Sequence, residues 1–230
     1  MKQKFRSIFP EVERESLVKL GKLTLWSEEG KDALQYLKLE RGFNDETIKK
    51  FNLGYCPSRV EHELADRILI PIYDPYGNLV FLTTRTPYQK NFFHESVSNK
   101  GLYLFGINIS KKAIIERQEA IIVEGEYDAI YLHTVGINNV VAASGSALSI
   151  FQITILSRYC SEIYYVPDGD TAGSKAIDRA NKLNNEYNLS GLGVAFITVK
   201  MPRDIADPDD YIKVNGTQKF VDLLRESKKN

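Results

Sequence analysis

The feature that most constrains the fold of this chain is the alternation of apolar strands and helices in its second half. Apolar runs predict strands at residues 120–123, 139–142, 163–166 and 194–199. Helical patterns between and around them predict helices at 127–134, 151–159 and 171–187. Parallel strands need long crossover connections, and helices supply them. The pattern therefore predicts an α/β fold with a mainly parallel sheet and helices on both faces.

The first half of the chain mixes helix and strand. Periodic apolar residues predict a helix from Glu11 to Leu25, with shorter helices at 31–39 and 45–51. A β-hairpin is predicted where the apolar runs 68–73 and 79–83 flank a stretch rich in turn-forming residues. The pattern indicates a smaller mixed α+β subdomain ahead of the α/β half.

The predicted domain boundary lies where one pattern gives way to the other. Residues 87–101 lack periodicity and predict an extended loop, and regular alternation begins only after Lys111. We predict an N-terminal subdomain over residues 1–112. The α/β domain with its C-terminal helices then covers residues 113–230.

Composition excludes several classes of protein. Thirty Lys and Arg residues balance thirty Asp and Glu residues, which argues against a cationic DNA-coating protein but permits a locally basic groove. Cys56 and Cys160 stand alone, so no zinc site or disulfide framework is predicted. There is neither a bilayer-length apolar run nor an apolar leader. We therefore expect no membrane association and a cytoplasmic location.

Acidic residues follow the predicted strands in three clusters. These are Glu124 with Asp128, Asp168 with Asp170, and Asp207 with Asp209. Open parallel sheets bind ligands at the carboxyl ends of their strands, so all three clusters lie where a ligand is expected. Gly169 would let the chain bend so that Asp168 and Asp170 meet one cation. A set of carboxylates without His or Cys favours Mg²⁺ or Mn²⁺ over zinc.

Helix capping is the alternative explanation for each acidic cluster, since Asp and Glu are favoured at helix N-termini. Asp168-Gly169-Asp170 by itself is more often a turn or a calcium-binding loop. Three clusters at three strand ends of one α/β unit nevertheless favour a metal site over three separate caps.

Glu124 at a strand end, followed later by Asp168-Gly169-Asp170, resembles the motif of TOPRIM domains in order and spacing. That family includes DnaG-type primases, topoisomerases, some nucleases and RecR-like recombination proteins. The resemblance implies a Rossmann-like TOPRIM fold for the second half.

Flanking segments resemble DnaG-type primases in particular, over about residues 30–224. The matching segments are Glu40-Arg41-Gly42-Phe43, Phe51-Asn52-Leu53-Gly54-Tyr55, Ile70-Pro71-Ile72, Leu102-Tyr103-Leu104-Phe105-Gly106 and Asp207-Pro208-Asp209. The resemblance implies the catalytic core of a DNA primase. Such a nucleotidyltransferase is a DNA-directed RNA polymerase that makes short RNA primers on single-stranded DNA for replication.

The resemblance also implies roles for single residues. The acids that would gather around divalent metals are Glu124, Asp128, Asp168, Asp170, Asp207 and Asp209. Glu124 would lie nearest the chemistry, and Asp168 and Asp170 would bind metal together with the nucleotide triphosphate. Basic residues resembling Arg67, Arg85 and Lys100 line the template and nucleotide cleft of the family. Thr83-Thr84-Arg85 departs from the usual Gly-Gly-Arg, which leaves the contacts of that segment open.

The partners expected from the resemblance are single-stranded DNA, ribonucleoside triphosphates and a replicative helicase. Neither the zinc-binding nor the helicase-binding domain of full-length primases is recognisable, so a zinc-binding template-recognition domain is expected on another chain. A bacterial or phage-encoded primase core fits this description.

Two other functions remain open from the sequence. A TOPRIM nuclease would use the same metals to hydrolyse a phosphodiester bond. A non-catalytic TOPRIM scaffold would need no metal, although the presence of all six acids argues against degeneracy.

Overall fold

The structure is a computed structural model that describes residues 10–60, 64–87, 92–94, 100–145, 147–202, 205 and 207–229. The chain divides into two compact units, residues 1–99 and 100–230. The predicted boundary after residue 112 runs through a helix, Ile107–Arg117, which falls wholly within the second unit. None of the helices in the described ranges combines the length and the hydropathy needed to cross a bilayer.

Over its described residues, the first unit contains three α-helices and an antiparallel sheet. Its described elements are α1 (Glu11–Leu25), α2 (Lys31–Gln35), α3 (Asp45–Lys50), β1 (Gly54–Cys56), β2 (Arg67–Tyr73), β3 (Leu79–Arg85) and β4 (Phe92–His94). The strand order is β1-β2-β3-β4, with every neighbouring pair antiparallel. The predicted helix α1 and the β2–β3 hairpin are confirmed.

Three local features of the first unit differ from the sequence-based prediction. The predicted helix 31–39 is α-helical only to Gln35 and continues as a π-helical turn, Tyr36–Glu40. Strands β1 and β4 were not predicted. Each has three residues, which is too short for an alternating apolar pattern to be visible.

The second unit alternates helix and strand. Its described elements are α4 (Ile107–Arg117), β5 (Glu119–Val123), α5 (Glu126–Thr134), β6 (Val140–Ala142), α6 (Ile150–Leu156), β7 (Glu162–Val166), α7 (Thr171–Tyr187), β8 (Ala195–Thr198), α8 (Pro208–Asn215) and α9 (Thr217–Ser227). The sheet has the order β6-β5-β7-β8 and is parallel throughout. The predicted parallel α/β fold is confirmed. Helix α4 was not predicted, because its sequence carries no clear apolar stripe.

Both faces of the parallel sheet are buried at strands β5, β6 and β7, whereas the edge strand β8 is partly exposed. Ala120 and Ile122 of β5 belong to one core with Ile114 of α4 and Ile153 of α6. Their alternating neighbours in β5 point to the opposite face and are also buried, with Ile121 at 3% exposure. Burial of both faces explains why the strands are nearly continuous apolar runs.

The register of the sheet fixes where the acidic residues leave it. Val123, the last residue of β5, pairs with Val166, the last residue of β7. Glu124 and Asp168 therefore follow two adjacent central strands at the same edge. Parallel strands bring their carboxyl ends together, so the sheet itself aligns the first two acidic clusters.

Candidate metal centre

Three carboxylates of the second unit meet at the carboxyl edge of the sheet. Ligand oxygens of Asp128, Asp207 and Asp209 all lie within 4.8 Å of one another. Asp128 and Asp209 are buried, at 7% and 1% exposure. Buried carboxylates this close repel one another unless a cation or a proton lies among them. This acidic cluster is consistent with binding of a divalent metal.

Backbone features at two helix starts bring these carboxylates together. Asp128 lies in the first turn of α5, and a Cβ on Gly125 would stand only 2.6 Å from its Oδ2. Glycine at position 125 therefore allows the Asp128 carboxylate to fold back over the start of the helix. Asp207 precedes α8, where its Oδ1 accepts a 2.9 Å hydrogen bond from the backbone N–H of Asp210.

Glu124 and Asp168 stand beside this cluster at the ends of β5 and β7. The backbone N–H of Asp168 donates a hydrogen bond to the Glu124 carboxylate. Glu124 Oε1 and Asp168 Oδ1 are buried and accept no hydrogen bond from the described residues. A buried carboxylate oxygen without a donor is costly. Coordination of a cation would satisfy both oxygens, so the residues present fit a divalent metal.

Electrostatic interactions link the three acidic clusters. Burial, followed by the negative charges of Glu124, Asp207, Asp170 and Asp209, raises the pKa of Asp168 to about 7. Burial and the charge of Asp170 raise the pKa of Glu124, against the hydrogen bond from Asp168. Burial and Asp207 raise the pKa of Asp209, against the opposing charge of Lys213. Acids that follow different strands are therefore close enough to raise one another's pKa.

Asp170 caps a helix and also raises the pKa of Glu124 and Asp168 through its negative charge. Its Oδ1 accepts a 2.8 Å hydrogen bond from the backbone N–H of Gly173 and caps α7. Asp170 is also solvent-exposed. The capping explanation therefore applies to Asp170 and Asp207 without excluding a metal-binding role.

Gly169 is required for a reason other than the sharp bend expected from the sequence. Its φ is not among the positive values of the chain. A Cβ at this position would instead stand 2.1 Å from the carbonyl oxygen of Ile205 and 2.9 Å from that of Pro202. Gly169 thus allows the backbone of Pro202 and Ile205 to lie directly against the Asp168–Asp170 segment.

The predicted basic residues lie in both units. Arg67 begins β2 and Arg85 ends β3, and the pairing of Ile68 with Arg85 brings both arginines to one end of the antiparallel sheet. Lys100 is in the second unit, where burial lowers its pKa against the opposing charge of Glu126. Binding of template or nucleotide by these three residues stays a prediction.

One contact of the acidic cluster was not predicted from the sequence. Lys213 Nζ lies 3.1 Å from Asp209 Oδ2, one turn further along α8. The spacing of four residues between Asp209 and Lys213 was the available signal, since such pairs are neighbours on a helix surface. It is informative only once α8 is known to begin at Pro208.

Two family models match parts of the chain. Residues 121–212 match the Toprim-like family. Residues 21–65 match the N-terminal domain of the DNA primase catalytic core. The first match spans the strands and acidic residues of the second unit, and the second begins within α1 and extends past β1.

Similar proteins match over nearly the whole chain. A DNA primase of Aquifex aeolicus is 32% identical over 93% of this chain, and the chain spans 47% of that relative's length. The solved zinc-binding and RNA polymerase domains of an Aquifex aeolicus primase superpose with a TM-score of 0.78 at 28% identity, covering 96% of this chain and 62% of that one. A DnaG primase catalytic domain bound to single-stranded DNA has the same fold, with a TM-score of 0.83 at 21% identity and coverage of 93% and 79%.

Proposed function

Since this chain belongs with the catalytic cores of DnaG-type DNA primases, we propose that it synthesises short RNA primers on single-stranded DNA. The observation that carries the proposal is the buried acidic cluster at the carboxyl edge of a Toprim-like sheet. A primase-like segment precedes that sheet in the same chain. The substrates would be ribonucleoside triphosphates and a DNA template.

Nucleotidyl transfer needs a 3′ hydroxyl in line with the α-phosphorus and stabilisation of the pyrophosphate that leaves. When bound, two Mg²⁺ ions, or Mn²⁺ in their place, would activate the hydroxyl and neutralise charge on the phosphates. In this proposal Glu124 orients the hydroxyl or accepts its proton, since its carboxylate is held by the Asp168 N–H.

The remaining acids would hold the metals. Asp168 and Asp170 would bind the metal that accompanies the triphosphate. Asp128, Asp207 and Asp209 would complete the ligand set, as their mutual distances allow. All six supply oxygen ligands, which suit Mg²⁺ and Mn²⁺, and no zinc is proposed for this chain.

Arg67, Arg85 and Lys100 would bind phosphates of the template or the nucleotide. Such contacts are independent of sequence and weaken as salt rises. Single-stranded DNA is bound in the structure of the DnaG catalytic domain, which supports a DNA template here.

We propose a replicative helicase as a partner and a cytoplasmic location. A zinc-binding domain is part of the Aquifex aeolicus structure, and we propose that such a domain acts from another chain.

A primer-synthesis assay tests the proposal directly. The protein is incubated with Mg²⁺ or Mn²⁺, labelled ribonucleotides and mixed-sequence single-stranded DNA, and the products are resolved on a sequencing gel. We expect short RNA from the wild type and at least about a hundredfold less from Glu124→Gln and from Asp168→Asn, because each loses a ligand or a proton acceptor. Asp178→Asn, an exposed position on α7, is the matched control and should remain active.

Other products would favour the rival functions. Shortening of the DNA, lost in the same two variants, would indicate a nuclease. If no reaction occurs, even with a primase zinc-binding domain added, the manganese dependence of Tm becomes decisive. Absence of a manganese-induced rise would indicate a scaffold.

A further inference from the structure

A lysine ammonium group is held in place at the acidic cluster. Lys213 Nζ lies 3.1 Å from Asp209 Oδ2 and 3.7 Å from Asp210 Oδ1. It also stands 4.9 Å from the ring centroid of Tyr131, on α5. Carboxylates of α8 and an aromatic face of α5 therefore fix the position of this cation.

The surroundings make this ion pair stronger than an ordinary surface pair. The side chain of Asp209 is 2% exposed and that of Lys213 is 34% exposed. Charges in such a partly desolvated setting interact more strongly than in water. Asp209 is at the same time within 4.8 Å of ligand oxygens of Asp128 and Asp207. The ammonium thus offsets part of the repulsion among three carboxylates.

On the basis of the metal site proposed above, we propose that Lys213 is a resident counter-charge of the cluster. It stabilises the protein without metal, because the carboxylates then have a cation beside them. It also lowers the affinity of the cluster for a divalent cation, because a metal held by Asp209 must approach the fixed ammonium. Lys213 is a positioning residue in this proposal, since it acts through Asp209.

The sign of the effect on metal binding separates this role from a purely structural one. If Lys213 only held Asp209 in place, loss of its charge would loosen the carboxylate and weaken metal binding. If Lys213 is a counter-charge, loss of its charge strengthens metal binding. Coulomb repulsion over a few ångströms, reduced by physiological salt, corresponds to about fivefold in affinity.

Three variants of the full chain provide the comparison. Lys213→Met removes the charge and keeps most of the unbranched side chain, which is one heavy atom shorter, whereas Lys213→Arg keeps the charge. Lys228→Met is the matched control. It removes a different ion pair of the second unit, with Glu162 at the start of β7 and so at the opposite edge of the sheet.

Manganese is titrated into each protein without nucleotide, and free Mn²⁺ is measured by electron paramagnetic resonance well below Tm. We expect Lys213→Met to bind Mn²⁺ about fivefold more tightly than the wild type. Its Tm in EDTA should be lower and its manganese-induced rise in Tm larger. Lys213→Arg and Lys228→Met should bind Mn²⁺ as the wild type does.

The outcomes separate this inference from the proposed function. If the wild type binds Mn²⁺ and Lys213→Met binds it equally tightly or more weakly, the counter-charge role is overturned. The proposed metal site is then unaffected. If Lys213→Met binds Mn²⁺ more tightly and still does so when combined with Asp209→Asn, the Mn²⁺ is bound away from Asp209. That result also overturns the counter-charge role. Absence of Mn²⁺ binding by the wild type would overturn both the metal site and the counter-charge.

Discussion

Among the single residues of the candidate site, Asp168 has a strongly raised pKa, because it is buried near other negative charges. Its backbone N–H supports Glu124, while its own carboxyl group faces the charges of four other acids. The protein without metal therefore holds a carboxyl group whose charged form is disfavoured. A bound cation would reverse this, because it stabilises the charged form.

The raised pKa of Asp168 predicts how the stability of the metal-free protein depends on pH. The ordinary pKa of an Asp is 3.8, and in the folded protein that of Asp168 is raised to about 7. The folded state therefore binds the proton more firmly. The stabilisation from this proton is complete below about pH 4 and is lost as the pH rises through about 7.

We expect Asp168→Asn in EDTA to depend less on pH between 4 and 7 than the wild type. At pH 8 its free energy of unfolding should exceed that of the wild type by about 1–3 kcal/mol, since a buried charge has been removed. Urea unfolding at several pH values measures this. Parallel pH curves for the two proteins would contradict the prediction.

At the scale of the elements, helices α7 and α8 begin at acids that also belong to the candidate site. Asp170 caps α7 and Asp207 caps α8, each through a hydrogen bond to a backbone N–H three residues ahead. One carboxylate oxygen can bond the helix end while the other remains available to a metal. Capping and metal binding are therefore compatible in the same side chain.

Variants of Asp170 can separate the two roles. Asn is as good an N-cap as Asp. In EDTA, the free energy of unfolding of Asp170→Asn should therefore lie within about 0.5 kcal/mol of that of the wild type. Asp170→Ala loses the cap and should cost about 1 kcal/mol. Both variants should lose primer synthesis if Asp170 binds metal as proposed, because both remove its charged carboxylate. Urea unfolding and the gel assay measure the two effects, and full activity of Asp170→Asn would limit Asp170 to capping.

In the whole molecule, all six acids belong to the second compact unit, residues 100–230. The basic residues are divided, with Arg67 and Arg85 in the first unit and Lys100 in the second. We therefore expect metal to bind to the second unit. We expect phosphates of DNA or nucleotide to contact basic residues that belong to each of the two units.

Hydrogen exchange can resolve the effect of metal on each unit. Saturation with Mn²⁺ should increase amide protection in β5, β7 and α8, because a ligand stabilises the state that binds it. Amides of α1, β2 and β3 in the first unit should change much less. Mass spectrometry of peptic fragments measures this, with Asp168→Asn as the control that lacks the response. Equal gains in both units would show that they open as one cooperative unit.

The sequence alone was sufficient for the features that depend on neighbours along the chain. Apolar runs in β5 and β7 are visible because both faces of those strands are buried, and α1 and α7 were predicted with the bounds observed. The position of the acids at the carboxyl ends of the strands also followed from the sequence, since those ends share one edge of a parallel sheet.

Only the tertiary structure decided which groups meet across the chain. It brings Asp128 against Asp207 and Asp209, holds Lys213 between Asp209 and Tyr131, and packs Gly169 against Ile205. Strands β1 and β4 likewise exist through pairing with β2 and β3 rather than through any pattern of their own. These contacts depend on distances between residues far apart in sequence, and local periodicity carries no information about them.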